Sequence, residues 1–254
     1  MKRCGKALAV VAITAASLPL TTGVVTAQEA GLSCDGEPAT LVGTPGDDFL
    51  VGTTGRDVIV ALGGDDEIIA LSGADVVCAG FGNDIVVGGN GADRIFGGGG
   101  NDLIAGDRGA DTLFGGAGDD ELFSVDASTK TDTAGAQMFG GDGDDLLVGS
   151  IEDDEMHGNA GQDDLLSLEG NDLLVGGKGP DFLSGGGGRD DMRGGSGLDT
   201  LDLKGVDRVR GGGGEDSCRR LTNTTQAVIT GCESVVQGDQ SLIAAESDFN
   251  RLFI

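Results

Sequence analysis

The sequence contains neither tryptophan nor tyrosine, and His157 is its single histidine. Basic residues are also few, because 16 Lys and Arg stand against 43 Asp and Glu, giving a formal net charge of −27. This shortage of positive charge argues against nucleic acid as a partner, since phosphate groups are bound by Lys and Arg. No Ser-His-Asp, Cys-His or metalloprotease motif is present, and no Cys/His cluster for zinc. We therefore expect no enzyme activity.

Long hydrophobic runs are missing except near the N-terminus. Residues 7–20 are apolar and rich in alanine, and they follow the basic residues Lys2, Arg3 and Lys6. Small residues at 25–27 then provide a cleavage site, a pattern typical of a secretory signal peptide. The apolar run is too short to favour a membrane span. The sequence thus predicts a signal peptide over residues 1–27, a secreted extracellular protein and no membrane span.

Cysteine is scarce, and one of the five cysteines, Cys4, lies in the predicted signal peptide. The other four are Cys34, Cys78, Cys218 and Cys232. An even number of cysteines in an exported chain favours disulfide bonds. Four cysteines allow three pairings, and their number alone does not select one.

Glycine is abundant, with 50 of 254 residues, a share that usually indicates low complexity or disorder. Here the glycines keep a constant phase with aspartate and with large apolar residues. The repeating unit is G-G-x-G-x-D-x-U-x, where U is apolar, and Gly88 to Phe96 is one example. The position-six aspartates, called ladder aspartates below, are Asp48, Asp57, Asp66, Asp75, Asp84, Asp93, Asp102, Asp111, Asp120, Asp145, Asp154, Asp163, Asp172, Asp181, Asp190 and Asp199. Asp207 in a shortened unit and Asp216 in a last one continue the series.

Each unit predicts a turn followed by a minimal strand. Glycine and aspartate favour turns, and glycine accepts positive φ without penalty. The three residues x-U-x form a strand whose central side chain points inward. Two units make one coil, and successive coils stack as two parallel sheets. We therefore expect an all-β, right-handed parallel β-roll of about 18 units with caps at both ends.

The unit resembles the RTX calcium-binding nonapeptide of haemolysin-type proteins, and the resemblance covers most of the predicted mature chain. It implies that each calcium ion lies between turns n and n+2 on one edge of the roll, held by both ladder aspartates. Calcium takes six to eight oxygen ligands, whereas magnesium prefers fewer and retains its waters. All 18 ladder aspartates are therefore candidate ligands of multiple Ca²⁺ ions, and calcium is expected to drive folding outside the cell.

The repeat is interrupted once, and this interruption divides the predicted domains. A cap at 28–42 precedes a first block at 43–123, and an insertion with a degenerate unit at 124–139 separates it from a second block at 140–219. Residues 220–254 form the C-terminal cap and tail. Ala136 replaces an aspartate, and Glu152 replaces the glycine before Asp154, so calcium should be missing or weak there. We expect on the order of 10–14 ions, one per intact same-edge pair.

The roll also favours one disulfide pairing and one kind of partner. Cys34 lies within reach of Cys78, and Cys218 of Cys232, so these pairs are favoured.

The outward strand positions are unusually apolar, and such strips either mark interfaces or reflect strand propensity. Self-association, or adhesion to a cell-surface partner, is the interface hypothesis. The outward apolar positions are Phe49, Val51, Ile69, Ile85, Val87, Leu103, Phe123, Leu146, Val148, Leu166 and Phe182 on one face, and Val58, Val60, Phe96, Phe114, Phe139, Leu173 and Val175 on the other.

The leading hypothesis is a stand-alone secreted calcium-binding roll. The alternatives are an ice- or surface-binding β-solenoid and an accessory module of an extracellular enzyme. Ice-binding faces usually present regular outward threonine rows, and only Thr112 and Thr200 occupy such positions in the regular units. His157, at an outward strand position, is expected to be a bystander.

Overall fold

The computed structural model of the protein describes residues 25–26, 31–124, 134–204, 207–220 and 228–237. Apart from Val25 and Thr26, the predicted signal peptide lies outside the described residues. So do residues 125–133 of the predicted insertion, Gly205 and Val206 of the shortened unit, and most of the predicted C-terminal tail.

The described residues form short strands and no helix. In chain order the strands are β1 (Val25–Thr26), β2 (Ser33–Cys34), β3 (Glu37–Pro38), β4 (Leu41–Val42), β5 (Phe49–Val51), β6 (Val58–Gly63), β7 (Glu67–Ser72), β8 (Val76–Phe81), β9 (Ile85–Asn90), β10 (Arg94–Gly99), β11 (Leu103–Arg108), β12 (Thr112–Ala117), β13 (Glu121–Phe123), β14 (Gln137–Asp142), β15 (Leu146–Val148), β16 (Glu155–Ala160), β17 (Asp164–Leu166), β18 (Glu169–Gly170), β19 (Leu173–Lys178), β20 (Phe182–Ser184), β21 (Gly187–Gly188), β22 (Asp191–Ser196), β23 (Thr200–Leu203), β24 (Arg208–Gly213), β25 (Ser217–Arg220), β26 (Val228–Thr230) and β27 (Ser234–Gln237). Accordingly, no helix in these ranges could span a membrane.

Two long sheets carry the architecture, and alternate units enter alternate sheets. Sheet I has the order β1-β4-β6-β8-β10-β12-β14-β16-β19-β22-β24-β26, and sheet II has the order β27-β25-β23-β20-β17-β15-β13-β11-β9-β7-β5. All neighbours in them pair in parallel except β1 and β4. This is a parallel β-solenoid of about nine turns, which confirms the predicted all-β roll. Its strands outnumber the predicted units because the leading and closing segments add strands at both ends, the degenerate unit adds β14, and β18 and β21 pair within two turns.

The core is a stack of the apolar residues at position eight. On sheet I, Ile59 pairs with Val77, Val77 with Ile95, and Ile95 with Leu113, and all four are fully buried. Because successive strand side chains alternate between faces, only the middle residue of each x-U-x triplet enters the interior. Each coil therefore buries its apolar side chains against the coils before and after it, as in other solenoids.

The turns stack through direct backbone contact. The amide of Gly82, at position four, donates to the carbonyl of Gly99 at 2.8 Å, and the amide of Gly100 donates to that of Ala117 at 2.8 Å. A Cβ built on Gly100 would overlap the carbonyl group of Gly82. Glycine at this position is therefore needed for the coils to approach one another.

The roll continues in phase across the interruption. Leu113 on β12 pairs with Met138 on β14, and Met138 pairs with Met156 on β16. Met138 is fully buried, as expected for the inward residue of a degenerate unit. On the other sheet, Leu122 pairs directly with Leu147. The extra residues therefore leave the register of both sheets unchanged.

Disulfide bonds join both ends of the described roll to its coils. Cys34, on the β2–β3 hairpin, is bonded to Cys78 on β8, with 5.7 Å between their Cα atoms. Cys218 on β25 is bonded to Cys232, with 5.9 Å between the Cα atoms. This is the pairing that the sequence favoured. Disulfides of this kind restrict the unfolded chain and thereby stabilise the fold.

Candidate metal centre

The ladder aspartates lie on two edges of the roll. The turns that lead into sheet II form the first edge, with Asp48, Asp66, Asp84, Asp102, Asp120, Asp145, Asp163, Asp181, Asp199 and Asp216. The turns that lead into sheet I form the second edge, with Asp57, Asp75, Asp93, Asp111, Asp154, Asp172, Asp190 and Asp207. All are buried except Asp48, which is half-buried. Burial of so many carboxyl groups is costly unless each finds partners.

From Asp66 onward, one oxygen of each ladder carboxyl group accepts a hydrogen bond from a backbone amide of the preceding coil. The backbone amide of Asp66 donates to Asp84 Oδ1 at 2.8 Å, and that of Asp84 donates to Asp102 Oδ1 at 2.8 Å. The same bond crosses the interruption, where the amide of Asp120 reaches Asp145 Oδ1 at 2.9 Å over 25 residues of chain. These bonds hold the carboxylates of one edge in a row.

The second oxygen of most ladder aspartates has no partner. This Oδ2 atom is buried, without a hydrogen-bond donor, in Asp66, Asp75, Asp84, Asp93, Asp102, Asp120, Asp145, Asp163, Asp172, Asp181, Asp190, Asp199 and Asp216. A buried acceptor without a donor costs about 1–3 kcal/mol, and more when it is charged. A repeated cost of this kind in a native structure indicates a binding site.

Burial also makes these carboxyl groups hard to ionise. The pKa of Asp145 is raised from 3.8 to about 8, mainly by burial and in smaller part by the nearby charges of Asp120 and Asp163. Burial likewise raises the pKa of Asp102 and of Asp181 to about 7. Each of these carboxyl groups also accepts a hydrogen bond from a backbone amide. This bond lowers the pKa, but by less than burial raises it. The site therefore requires positive charge to hold its ionised form.

Backbone oxygens converge on the same space as the carboxylates. A Cβ built on Gly88 would lie 2.7 Å from Asp93 Oδ2 and 2.8 Å from the carbonyl oxygen of Gly106. Two acceptors directed at one point repel each other unless a cation or a shared donor lies between them. Carboxylate and carbonyl oxygens are the donor set that calcium prefers, so the residues present fit that ion.

The side chains alone do not form a metal centre of the zinc type. Within the described ranges, no group of three or more His, Cys, Asp or Glu side chains could hold a metal ion. The ladder brings carboxylates together in pairs, so an ion must take further ligands from the backbone. His157 is remote from this chemistry, because it stacks on Phe139 with 5.0 Å between ring centroids and contacts Glu155 at 3.0 Å.

The second edge is interrupted at Ala136, as expected. Ala136 is buried, and its amide donates to Asp154 Oδ1 at 2.7 Å, so the backbone of the row continues where the carboxylate is lost. Asp154 itself differs from most ladder aspartates. Its Oδ2 accepts a hydrogen bond from the amide of Ser150 at 2.6 Å and lies 3.2 Å from the Ser150 hydroxyl.

Sequence reasoning missed the partner of Asp154 and two similar residues. Thr44 contacts Asp48 Oδ2 and Thr53 contacts Asp57 Oδ2, each through its amide and its hydroxyl. All three hydroxyl residues occupy position two of their units. A Ser or Thr at position two, where the repeating unit has glycine, was the sequence signal that could have identified them.

Two further sets of residues were missed. Glu233, in the C-terminal cap, accepts a hydrogen bond from the backbone amide of Asp216 at 2.7 Å and so takes the place of the next ladder aspartate.

A second, exposed row of side chains lies at position five of the first edge. The backbone amide of each later residue in this row donates to the side-chain oxygen of the corresponding residue in the preceding coil. Its side chains are those of Asp47, Asp65, Asn83, Asn101, Asp119 and Asp144. An 18-residue recurrence of Asp or Asn at position five would have indicated it.

Comparison with known families supports the same ligand. The model of the RTX calcium-binding nonapeptide repeat (4 copies) matches residues 42–77, 70–104, 79–113, 96–124, 139–174 and 167–201. These ranges together span more than half of the 254 residues and omit the segment in which the repeat is interrupted. A comparison with curated proteins gave no match. The chain therefore belongs to the family of proteins built from RTX calcium-binding nonapeptide repeats.

Proposed function

We propose that the protein is a secreted calcium-binding β-roll that folds when it binds extracellular calcium. The observation that carries this proposal is the row of buried Oδ2 atoms that lack a hydrogen-bond donor on both edges. An RTX roll fits calcium binding in general. The ladder aspartates are the residues that would hold the ions, and calcium would supply the positive charge that offsets their burial and mutual repulsion.

Secretion is supported by two features of the chain. Residues 1–27 have the pattern of a signal peptide, and both disulfides belong to the chemistry of an oxidising compartment. Outside the cell calcium is abundant, so sites with affinities in the micromolar to millimolar range would be filled there. Before export the same sites would be empty, and the chain would stay unfolded.

Titration of the purified chain from Gln28 onward with calcium tests the binding. We expect on the order of 10–14 ions by isothermal titration calorimetry, because each intact same-edge pair of turns supplies one site. Magnesium serves as the control ion, and it is expected to bind much more weakly because it dehydrates reluctantly and requires octahedral geometry. Equal heats and equal stoichiometry for the two ions would contradict the proposed ligand set.

Acidification is expected to substitute in part for calcium. Burial raises the pKa of ladder carboxyl groups such as Asp102 to about 7, so the folded roll binds more protons than the unfolded chain between about pH 4 and pH 7. The calcium-free roll is therefore more stable at the acidic end of this window, and it loses stability as the pH rises through it. Chain freed of calcium on a chelating resin should show more sheet by circular dichroism at pH 5 than at pH 8. Sedimentation controls for aggregation, and equal spectra at both pH values would contradict the expectation.

Calcium-dependent self-association or adhesion is a second, finer proposal for the loaded roll. Its support is an aromatic row on the outer face of sheet I, where Phe96, Phe114 and Phe139 stack with 4.7 and 5.0 Å between ring centroids. Such rows present apolar edges to solvent and are common at interfaces. Most of the other outward apolar side chains are half-buried, and Val58 and Val60 are buried in a cluster with Cys34 and Val42 of the N-terminal segment.

A further inference from the structure

In three ladder aspartates the protein itself supplies hydrogen-bond donors to Oδ2, which most other ladder aspartates lack. Asp57 Oδ2 accepts the amide of Thr53 at 2.6 Å and lies 2.9 Å from its hydroxyl. Asp154 Oδ2 has the same arrangement with Ser150. Asp48 Oδ2 has it with Thr44, whose hydroxyl lies at 3.0 Å.

The backbone of these three turns also differs from that of the regular turns. In regular turns, positions two and four are left-handed, as at Gly98 and Gly100 with φ of 117° and 125°. In the three hydroxyl turns, neither position is left-handed. This explains why Glu152 is tolerated at position four of the Ser150 turn, where a left-handed backbone would favour glycine.

The difference does not come from the loss of glycine at position two. Leu62, Leu71 and Leu168 also occupy position two, and they keep the left-handed backbone with φ of 88°, 80° and 77°. The ladder aspartates of their turns, Asp66, Asp75 and Asp172, keep an Oδ2 without a donor. A non-glycine residue that has neither a hydroxyl group nor a branched Cβ, such as leucine, therefore leaves the regular turn intact.

The hydroxyl residues change the turn for two physical reasons. Threonine is branched at Cβ, and branched residues are strongly disfavoured at positive φ. Ser and Thr hydroxyls also form local hydrogen bonds with nearby backbone groups, which stabilises a different turn. Here Thr53 Oγ1 accepts the amide of Gly55 at 3.1 Å, and Ser150 Oγ accepts that of Glu152 at 3.0 Å. In each case the turn then directs the amide of position two to the ladder carboxylate.

We propose that Thr44, Thr53 and Ser150 exclude calcium from their turns by supplying the donors that an ion would otherwise replace. This inference rests on the proposed function and refines its ligand set. Asp48, Asp57 and Asp154 are then structural members of the ladder. On the first edge, the row of calcium ligands begins at Asp66.

The second edge is consequently divided into two calcium-binding segments. Its row begins at Asp75, after the Thr53 turn. Ala136 and the Ser150 turn follow each other on this edge, one without a carboxylate and one with a carboxylate already bonded. The row resumes at Asp172, whose Oδ2 has no donor. The first edge has no such break between Asp66 and Asp216, so the two edges differ in the number of ions they hold.

The substitution Thr53→Gly tests this inference by gain of binding. Glycine allows the regular left-handed turn and removes the hydroxyl, so the Asp57 and Asp75 turns should form a site that the wild-type chain lacks. We expect one additional calcium ion per chain, measured by equilibrium dialysis with elemental analysis. Ser150→Gly, near the break in the second edge, provides an independent second variant that should also free an Oδ2, that of Asp154.

Two matched variants control for side effects of Thr53→Gly. Thr54→Gly introduces glycine at the adjacent exposed position and keeps the Thr53 amide and hydroxyl, so the ion count should stay at the wild-type value. Thr53→Val removes the hydroxyl but keeps the branched side chain and the amide, so the count should again stay unchanged. A folded Thr53→Gly chain with the wild-type ion count would overturn this inference alone. Absence of calcium binding by the wild-type chain would instead overturn the proposed function.

Discussion

In excess chelator, the chain from Gln28 onward is expected to lose its sheet signal in circular dichroism, and millimolar calcium is expected to restore it. Each regular nine-residue unit buries one apolar side chain, and most units also bury a carboxylate whose Oδ2 has no hydrogen-bond donor. A site filled at about 100 times its Kd adds about 2.7 kcal/mol of stability, and sites add together when all of them require the folded roll. Loss of on the order of ten such contributions exceeds the stability of an ordinary domain.

Measurement in magnesium at equal ionic strength separates site binding from charge screening, which both ions provide about equally. Sedimentation of the calcium-loaded chain shows in the same samples whether the roll self-associates. Equal sheet content in chelator and in millimolar calcium would contradict calcium-driven folding. A monomer at every calcium concentration would argue against self-association and leave calcium-driven folding intact.

Replacement of Gly100 by alanine is expected to destabilise the calcium-loaded roll strongly, whereas Gly99→Ala in the same turn should be nearly neutral. Gly100 has a φ of 125°, and its Cβ would overlap the carbonyl group of Gly82 in the preceding coil. The left-handed backbone costs about 1–2 kcal/mol for alanine, and the forced backbone shift adds about 1–3 kcal/mol. At Gly99, the new Cβ would lie 3.5 Å from the ring of Phe81, which is ordinary contact.

Urea unfolding in saturating calcium compares the two variants with the wild-type chain. The expected loss for Gly100→Ala is about 2–5 kcal/mol, and the change for Gly99→Ala stays within about 1 kcal/mol. The calcium midpoint of Gly100→Ala should rise as well, because the coils on either side of that turn are forced apart. Similar midpoints for both variants would show that stacking at position four does not control the stability of the roll.

The sequence was informative wherever a residue type has one strong structural preference. The nine-residue period predicted the two parallel sheets and the buried stack from Ile59 onward, since a short period leaves few ways to bury one apolar residue per unit. The degenerate unit was also predictable, because Met138 stands at the apolar position and keeps the register of the core.

Details of individual turns were less predictable. The replacement of glycine by Glu152 was expected to weaken a calcium site, but the cause of its tolerance is the Ser150 turn, whose backbone is not left-handed. Glu233 was missed because it lies outside the nine-residue units and is not an aspartate, although its spacing of 17 residues from Asp216 equals that between Asp199 and Asp216. Both depend on hydrogen bonds between a side chain and a backbone amide, and several backbone conformations can provide such bonds.

By itself, the sequence predicted the roll and the ladder residues from their spacing, the family from the resemblance of the repeating unit, and the favoured disulfide pairs from the predicted roll. Only the tertiary structure decided which ladder carboxylates have a partner. Asp57 and Asp75 are both position-six aspartates on one edge, yet Thr53 provides donors to Asp57 while Asp75 Oδ2 has none. Spacing places the two carboxylates in one row, but the backbone conformation of each turn determines whether the second carboxylate oxygen accepts a hydrogen bond from an amide or is left to bind an ion.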